Sequence, residues 1–253
     1  YQHVTSLMSI LGRVLYSRAS CPRVAASETM AASWTTSTLP PSALVEPADY
    51  AETGGRGLGC KCDVAEGGEL LAIPLANCWY GVASRKQPEL AALVESAGDA
   101  LNDFDATALH LLIERTKGAA SSKWAHLQEL PAAYDSTLFW SEEELAELEG
   151  SNWLVLARRF AEEARADWDA LKTLVDAAVA ATVPEESPSP TSLLDKFGIT
   201  FSDYLWAYAT LKSRAAEAVV NGVANTRLMA PGFDLFNHND DLTPGSSHRF
   251  DEE

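Results

Sequence analysis

Apolar residues recur at two different spacings along this 253-residue chain, and the change of spacing separates strand-like from helix-like parts. In residues 51–75 the apolar runs are short and divided by glycines, which is typical of strands and turns. The glycines of "GGRGLG" (54–59) predict a tight loop, and Gly67-Gly68 predicts a second turn. "ELLAIP" predicts a short buried strand that Pro74 stops.

From about residue 88 the apolar positions follow the three- and four-residue spacing of helices. "DFDATALHLLIERTKG" (103–118) predicts a helix that its last glycine stops, and "SSKWAHLQELP" predicts a short helix that ends before its proline. In "SEEELAELEG", Ser141 lies three residues before Glu144, which is the spacing of a helix capping box.

A long amphipathic helix is predicted over roughly residues 152–182, because apolar side chains repeat there along one face. That face comprises Trp153, Leu156, Ala157, Phe160, Ala164, Trp168, Leu171, Leu174 and Val175. A proline-rich loop follows over 183–192, and a further helix, "TFSDYLWAYATLKSRAAEAV", begins at Thr200 or Ser202. "RLMAP" then predicts a short strand before a Pro-Gly turn.

The order of these elements predicts an α+β fold, in which a β-rich domain is interrupted by a large helical insertion. We expect four segments: a leader over 1–40, the first part of the β-rich domain over 41–84, the insertion over 85–199 and the second part of the domain over 200–253.

The net charge of −17 changes which partners are expected, because so acidic a surface repels phosphate backbones. Nucleic acid is therefore not an expected ligand. The leader has the opposite character, with Arg13, Arg18 and Arg23 against Glu28 alone. Its composition predicts either an organellar transit peptide, hence a mitochondrion or chloroplast, or a disordered upstream extension with Met30 as the true start. The second alternative is compatible with the cytoplasm or nucleus.

The four cysteines, Cys21, Cys60, Cys62 and Cys78, predict neither a disulfide framework nor a metal site. "CKC" lacks the two-residue gap of zinc knuckles, and no matching pair of Cys or His follows it. We therefore expect buried or tolerated thiols and no bound metal. The chain also has no stretch of about 18 uninterrupted apolar residues, so no membrane span is expected.

Three stretches offer polar groups or open backbone for binding, and each also has a plain structural explanation. "GGRGLG" lacks the Lys-Ser/Thr of a P-loop, yet its glycines leave backbone N–H and C=O groups uncovered. "WAYATLKSRA" places Ser213 and Arg214 near a helix end, where an arginine is usually solvated or ion-paired. In "MAPGFDLFNHND", Asp234 lies three residues before Asn237-His238, which suits either a polar head group or an ordinary turn.

In this order and at this separation, the stretches resemble one protein family. "GGRGLGCKCDVAEGGELLAIP" resembles the opening motif of the SET domain, and residues 109–151 look like the helical insertion of one of its subgroups. "WAYATLKSRA" and "LMAPGFDLFNH" resemble that subgroup's "SRAF" and "D..NH" blocks. The subgroup is the Rubisco large-subunit methyltransferase-like SET proteins, which include the actin-histidine methyltransferase. The resemblance covers roughly residues 42–241.

The resemblance implies a methyltransferase that uses S-adenosylmethionine and acts on a protein side chain, most often lysine. By similarity, six residues contact the methyl donor: Arg56, Gly57, Leu58, Arg214, Asn237 and His238. Two residues match positions near the acceptor side chain: Ser213 and Asp234. The Asp234 carboxylate either orients the acceptor or only holds its loop.

These residue types suit such a reaction. The donor's sulfonium already activates the methyl group, so the site mainly has to align nitrogen, methyl carbon and sulfur. A lysine acceptor must also lose its proton, and since its ordinary pKa is about 10.4, the pocket has to favour the neutral amine.

The family's SET domain continues beyond the Asn-His block to a "GEE…YG" segment, whose tyrosine helps orient the acceptor and the methyl group. This chain stops at Glu253, so we expect a SET domain that is incomplete at its C-terminus and lacks the catalytic tyrosine. For the chain alone we expect weak donor binding and no methyl transfer. Two alternatives stay open: a histidine acceptor, and a non-catalytic SET-like module that binds protein partners through its helical insertion.

Overall fold

The computed structural model describes residues 11–16, 20–21, 29–31, 36–50, 55–65, 68–182, 191–220, 223–236 and 246–251. The chain divides into two compact units. The strand unit comprises Tyr1–Trp79, Ala125–Glu129 and Ala215–Glu253, and the helical unit comprises Tyr80–Trp124 and Leu130–Arg214. The α+β class predicted from the sequence is therefore confirmed, while the predicted segment limits at 85 and 199 stay a prediction.

Eleven strands are present in the described residues. They are β1 Leu11–Tyr16, β2 Ser20–Cys21, β3 Thr29–Ala31, β4 Val45–Tyr50, β5 Gly55–Cys60, β6 Val64–Ala65, β7 Glu69–Pro74, β8 Trp79–Tyr80, β9 Ala216–Val220, β10 Val223–Met229 and β11 Ser246–Asp251. They form small sheets in the orders β11-β1-β7, β8-β10-β9, β3-β4-β5 and β2-β6.

The glycine-rich stretch forms a strand, so the predicted loop is wrong for its described residues. Gly55–Cys60 is β5, which pairs antiparallel with β4 from Tyr50↔Gly55 to Val45↔Cys60. Backbone pairing with β4 outweighs the poor intrinsic strand preference of glycine. The second predicted turn is confirmed, because the Gly68 N–H donates to the Ala65 carbonyl over 2.9 Å.

Part of the region 1–40 takes part in these sheets. β1 pairs antiparallel with both β7 and β11, and β3 pairs with β4. For residues 11–16, 20–21 and 29–31 the backbone is thus in paired strands, whereas the composition of this region predicts a disordered or transit-like leader.

The helix predicted from residue 200 is shorter than expected. It ends at Arg214, and Ala216–Val220 form β9, which pairs antiparallel with β10. The burial of "AEAVV" alternates, with Ala218 and Val220 buried and Glu217 and Val219 exposed. Strand pairing therefore overrides the helix preference of the two alanines in this stretch.

The described residues contain eight α-helices, most of them in the helical unit. They are α1 Gly81–Ser84, α2 Ala91–Ala97, α3 Asp103–Lys117, α4 Trp124–Leu127, α5 Glu142–Ala146, α6 Asn152–Thr182, α7 Leu193–Phe197 and α8 Phe201–Arg214. The predicted capping box is confirmed at α5, since the Glu144 N–H donates to the Ser141 hydroxyl and the Ser141 N–H donates to the Glu144 carboxylate. The helix α7 lies just after the predicted loop and was not predicted.

The helix α3 lies in the core of its unit. Ten consecutive residues from Asp105 to Glu114 are buried. The Asn102 side chain caps its start by accepting from the Asp105 N–H over 2.8 Å. The hydroxyl of Tyr204 on α8 donates to the Asp105 carboxylate over 2.9 Å, which satisfies a buried acid whose pKa is raised by burial.

The apolar face of α6 is only partly covered. The C-terminal part of this face is buried, and there the Trp168 ring lies 5.4 Å from the Tyr204 ring in a tilted arrangement. The buried residues are Ala164, Trp168, Leu171, Val175 and Ala178. Trp153 and Phe160, which belong to the same predicted face, are 66% and 43% exposed. The periodicity thus identifies the apolar face of α6, and the described residues leave the N-terminal part of that face uncovered.

The Pro-Gly turn after β10 takes a backbone conformation that favours glycine. Gly232 has φ +83° and ψ −37°, and a Cβ there would lie 3.0 Å from Cδ2 of Leu39. The turn leads into a single turn of 3-10 helix, Phe233–Leu235. Little room is therefore left between this turn and the loop that contains Leu39.

The cysteines differ from expectation at one position. Cys60 at the end of β5 is disulfide-bonded, so the prediction of unpaired thiols is wrong for it. The spacing of cysteines along the sequence does not show which of them lie close enough in the fold to form a disulfide. Cys62 is an exposed thiol, and Cys78 is a buried thiol that donates to the Pro74 carbonyl over 3.7 Å. Within the described ranges, no helix is long and apolar enough to cross a membrane, and no group of three His, Cys, Asp or Glu could hold a metal ion.

His110 makes the stability of the helical unit depend on pH. It is 3% exposed, and its burial lowers its pKa from 6.5 to about 4. Between these pH values the unfolded chain binds the proton and the folded chain does not, so the free energy of unfolding falls as pH falls from 6.5 towards 4. This loss amounts to about 3 kcal/mol at most.

We expect His110→Asn to remove the loss of unfolding free energy between pH 6.5 and pH 4, because an amide does not titrate. The amide also retains a polar partner for the Ser84 hydroxyl, which lies 3.1 Å from Nδ1 of His110. Denaturant unfolding at pH 7 and pH 4 measures the difference. Equal pH dependence in the variant and the wild type would show that His110 does not contribute.

Gly232→Ala is expected to destabilise the strand unit by roughly 2 kcal/mol, from backbone strain and from the contact with Leu39. Gly198→Ala is the matched control: Gly198 also has a positive φ, of +63°, but nothing lies within 4 Å of the added Cβ. The control should cost only about 1 kcal/mol, the backbone contribution. Chemical denaturation of both variants gives the comparison, and equal losses would contradict tight packing at the Gly232 turn.

Candidate functional site

Three of the predicted donor-contacting residues lie together in β5. Gly57 and Leu58 are buried, and the Arg56 side chain is exposed. Arg56 lies opposite Asp49 on β4, so side chains of opposite charge occupy a cross-strand pair. The Tyr50 hydroxyl donates to the Leu58 carbonyl over 2.5 Å, and burial raises the pKa of this tyrosine. This strand thus combines a guanidinium with glycine backbone that carries no Cβ.

Asp234 lies in the 3-10 turn Phe233–Leu235, which packs against β5. Its side chain is 2% exposed, so its carboxylate requires partners inside the protein. Oδ1 accepts a hydrogen bond from the Gly232 N–H over 3.0 Å, and Oδ2 lies 3.0 Å from Nε2 of His126. The carboxylate is therefore fixed from two sides.

His126 connects the Asp234 carboxylate to a buried tryptophan through a second hydrogen bond. Its side chain is 3% exposed, and its Nδ1 accepts from the indole N–H of Trp79 over 2.8 Å. Trp79 is fully buried at the start of β8. Trp79, His126 and Asp234 thus form one continuous buried row of polar contacts.

Glu129 lies three residues after His126 and binds a second loop. Its Oε1 accepts from the backbone N–H of Ser37 over 2.5 Å and from the Ser37 hydroxyl over 3.1 Å. Its Oε2 accepts from the hydroxyls of Thr36 and Thr38 over 2.5 Å and 2.8 Å. One carboxylate therefore holds three consecutive residues of the loop before β4.

Ser213 and Arg214 end α8, in the helical unit. The Ser213 hydroxyl donates to the Ala209 carbonyl over 2.8 Å, so its proton is used within its own helix. Arg214 is half-buried at the helix C-terminus, where the helix dipole favours a cation.

The predicted residues are thus brought together in part. The strand unit places Asp234 beside the strand that carries Arg56, Gly57 and Leu58. Ser213 and Arg214 are neighbours in the helical unit, and Asn237 and His238 lie outside the described residues.

The sequence reasoning missed Trp79, His126 and Glu129. The only local signal was the three-residue spacing of His126 and Glu129, which puts two polar side chains on the same side of a short helical stretch.

No protein-family model matches the chain. Four curated relatives match it, including the following three. A Rubisco large-subunit N-methyltransferase of Nicotiana tabacum is 30% identical over 75% of this chain and 34% of its own length. A fructose-bisphosphate aldolase-lysine N-methyltransferase of Arabidopsis thaliana is 30% identical over 78% of this chain and 36% of its own. An actin-histidine N-methyltransferase of Danio rerio is 30% identical over 53% of this chain and 21% of its own.

The fold is shared with a solved structure. The SET domain of LSMT bound to lysine and AdoHcy superposes with a TM-score of 0.63 at 24% identity, over 81% of this chain and 43% of that one. The chain spans about a third of the length of the curated methyltransferases it matches. The chain is thus similar in sequence to Rubisco large-subunit N-methyltransferases, and it shares the fold of the LSMT SET domain.

Proposed function

We propose that the whole protein transfers a methyl group from S-adenosylmethionine to a nitrogen of a protein side chain, and that the acceptor is a lysine. The observation that carries this proposal is the position of β5 and the Asp234 turn. Two stretches that lie far apart in the sequence, "GRGL" and the turn Phe233–Leu235 with the Asp of "D..NH", are in contact within one unit. The relatives named above, which are methyltransferases by name, support the same reaction class.

We propose that Arg56, Gly57 and Leu58 form one side of the donor site. The structure fits such a ligand in two respects. Glycine at position 57 lets a ligand approach the strand backbone, and the exposed Arg56 guanidinium suits the carboxylate of the donor's amino-acid part. Arg214, Asn237 and His238 are proposed as further donor contacts, by similarity.

The reaction needs little acid–base machinery from the chain. When bound, the donor supplies an activated methyl group, and the acceptor nitrogen must approach it in line with the bond that breaks. The residues of this chain then act by holding the two reactants and excluding water, while the acceptor amine gives up its proton before its lone pair attacks. A metal is not part of this scheme.

The proposed acceptor class follows the aldolase relative, which is named as a lysine N-methyltransferase. The actin-histidine enzyme keeps histidine as the second candidate. The two acceptor side chains lose the proton from their nitrogen at different pH, because the ordinary pKa is about 10.4 for lysine and about 6.5 for histidine. This difference gives a direct test.

Arg56→Ala is expected to weaken binding of S-adenosylhomocysteine by about tenfold, which corresponds to roughly 1.4 kcal/mol. Because the side chain is exposed, the free energy of unfolding should change little. Isothermal titration calorimetry measures the affinity. Arg158→Ala is the control, since it removes the same charge from an exposed position on α6, where Arg158 pairs with Glu142. An equal loss of affinity in both variants would point to net charge and contradict a donor contact at Arg56.

Methyl transfer by the full-length protein should become faster with pH up to about 9 if lysine is the acceptor, because more of the amine is neutral. A histidine acceptor should give a rate that levels off above about pH 7. Radiolabelled methyl groups, followed by acid hydrolysis and separation of methyllysine from methylhistidine, identify the product. Donor binding without any labelled product from a basic protein extract would favour the non-catalytic alternative.

A further inference from the structure

The segment Ala125–Glu129 contains two buried or half-buried polar side chains that the proposed reaction does not use. His126 and Glu129 are three residues apart, so they project from the same side of the segment. Each binds a different loop of the strand unit. His126 binds the turn at Asp234, and Glu129 binds residues 36–38.

These two loops also touch each other. A Cβ on Gly232 would lie 3.0 Å from Cδ2 of Leu39 and 3.7 Å from the Thr38 hydroxyl oxygen. One short segment therefore holds two contacting loops, with an imidazole at one end and a carboxylate at the other. We call this segment, residues 125–129, the clasp.

We propose that the clasp is a positioning element: His126, held as its neutral Nε2–H tautomer, fixes Asp234 and with it the turn that packs on β5, while Glu129 fixes the adjoining loop. His126 and Glu129 do not touch the reactants in this proposal. They act through the backbone that the two loops present.

Trp79 determines which tautomer His126 adopts. An indole N–H only donates, so Nδ1 of His126, 2.8 Å away, must be the unprotonated nitrogen. The single ring proton of a neutral imidazole then lies on Nε2 and is donated to Asp234. The other tautomer would set an N–H against the indole N–H and leave the buried carboxylate without this donor. Trp79, His126 and Asp234 are therefore mutually consistent only in one protonation pattern.

The functional consequence rests on the proposed methyltransferase. The turn at Phe233–Leu235 packs on the strand of Arg56, Gly57 and Leu58, and the chain runs from it directly into the Asn237-His238 motif. If Asp234 were displaced, the turn that packs on β5 would shift, and the proposed donor site would change although every donor-contacting side chain is retained.

Two substitutions at His126 separate its hydrogen bonds from its bulk. His126→Gln keeps an acceptor oxygen for Trp79 and a donor N–H for Asp234, about as far apart as the two ring nitrogens, whereas His126→Leu removes both. In His126→Leu, amide hydrogen exchange in residues 230–236 should become at least about tenfold faster. S-adenosylhomocysteine should bind about tenfold more weakly to this variant. His126→Gln should restore both values to within about threefold of the wild type.

Gln128→Leu is the matched control, because Gln128 lies in the clasp but is exposed. It should leave both measurements unchanged. In the wild type, ¹⁵N NMR of the histidine side chains should show an unprotonated Nδ1 and a protonated Nε2 for His126 at pH 7. Glu129→Ala should speed exchange in residues 36–39, with a smaller effect on 230–236.

The outcomes distinguish the clasp from the methyltransferase proposal. Unchanged exchange in His126→Leu, or the Nδ1–H tautomer in the wild type, would overturn the clasp. Lack of S-adenosylhomocysteine binding by the full-length wild type, with exchange altered as expected, would leave the clasp standing and overturn the proposed donor site. Equal weakening in His126→Gln and His126→Leu would show that ring packing, and not the hydrogen-bonded row, positions the turn.

Discussion

The burial of the Asp234 carboxylate is the constraint on which the candidate site depends. A carboxylate with 2% of its side chain exposed is tolerable only when its oxygens are hydrogen-bonded, because an uncompensated buried charge costs several kcal/mol. The Gly232 N–H and His126 supply those bonds, and Trp79 keeps His126 in the form that can donate. The backbone of the turn, the tautomer of one ring and the placement of a tryptophan are therefore fixed together.

Many of the helices could be predicted from local sequence patterns. The wrong predictions of secondary structure have one physical origin. The capping box at Ser141 and the helix at 103–117 depend on residues within a few positions of each other, so their signals are readable from the sequence. β5 and β9 were misread because glycine and alanine disfavour strands locally, while pairing with β4 and β10 decides the outcome. The exposure of Trp153 and Phe160 was not predicted for a related reason, since periodicity shows which face of a helix is apolar but not what covers it.

Only those residues of the candidate site that lie in the recognised motifs could be predicted from the sequence. Resemblance pointed to Arg56, Gly57, Leu58 and Asp234, and the structure puts Asp234 beside β5. It did not point to His126, which is separated from Asp234 by 108 residues along the chain. A histidine in a short helical stretch has no sequence signature for a buried carboxylate partner, because the contact exists only after the strand unit has formed.

The same contacts limit what the two acceptor-matched residues can do. The Asp234 carboxylate is buried with one hydrogen bond to the Gly232 N–H and another to His126, and the Ser213 hydroxyl donates to its own helix. An acceptor side chain that approached Asp234 directly would have to displace His126, and a lost hydrogen bond to a buried charged group costs about 1.5–3 kcal/mol. Of the two roles open to Asp234, holding its loop is thus the one that the geometry supports. In the proposed reaction, discrimination between lysine and histidine then has to come from other groups, and the proposed role of Asp234 is to fix the turn Phe233–Leu235.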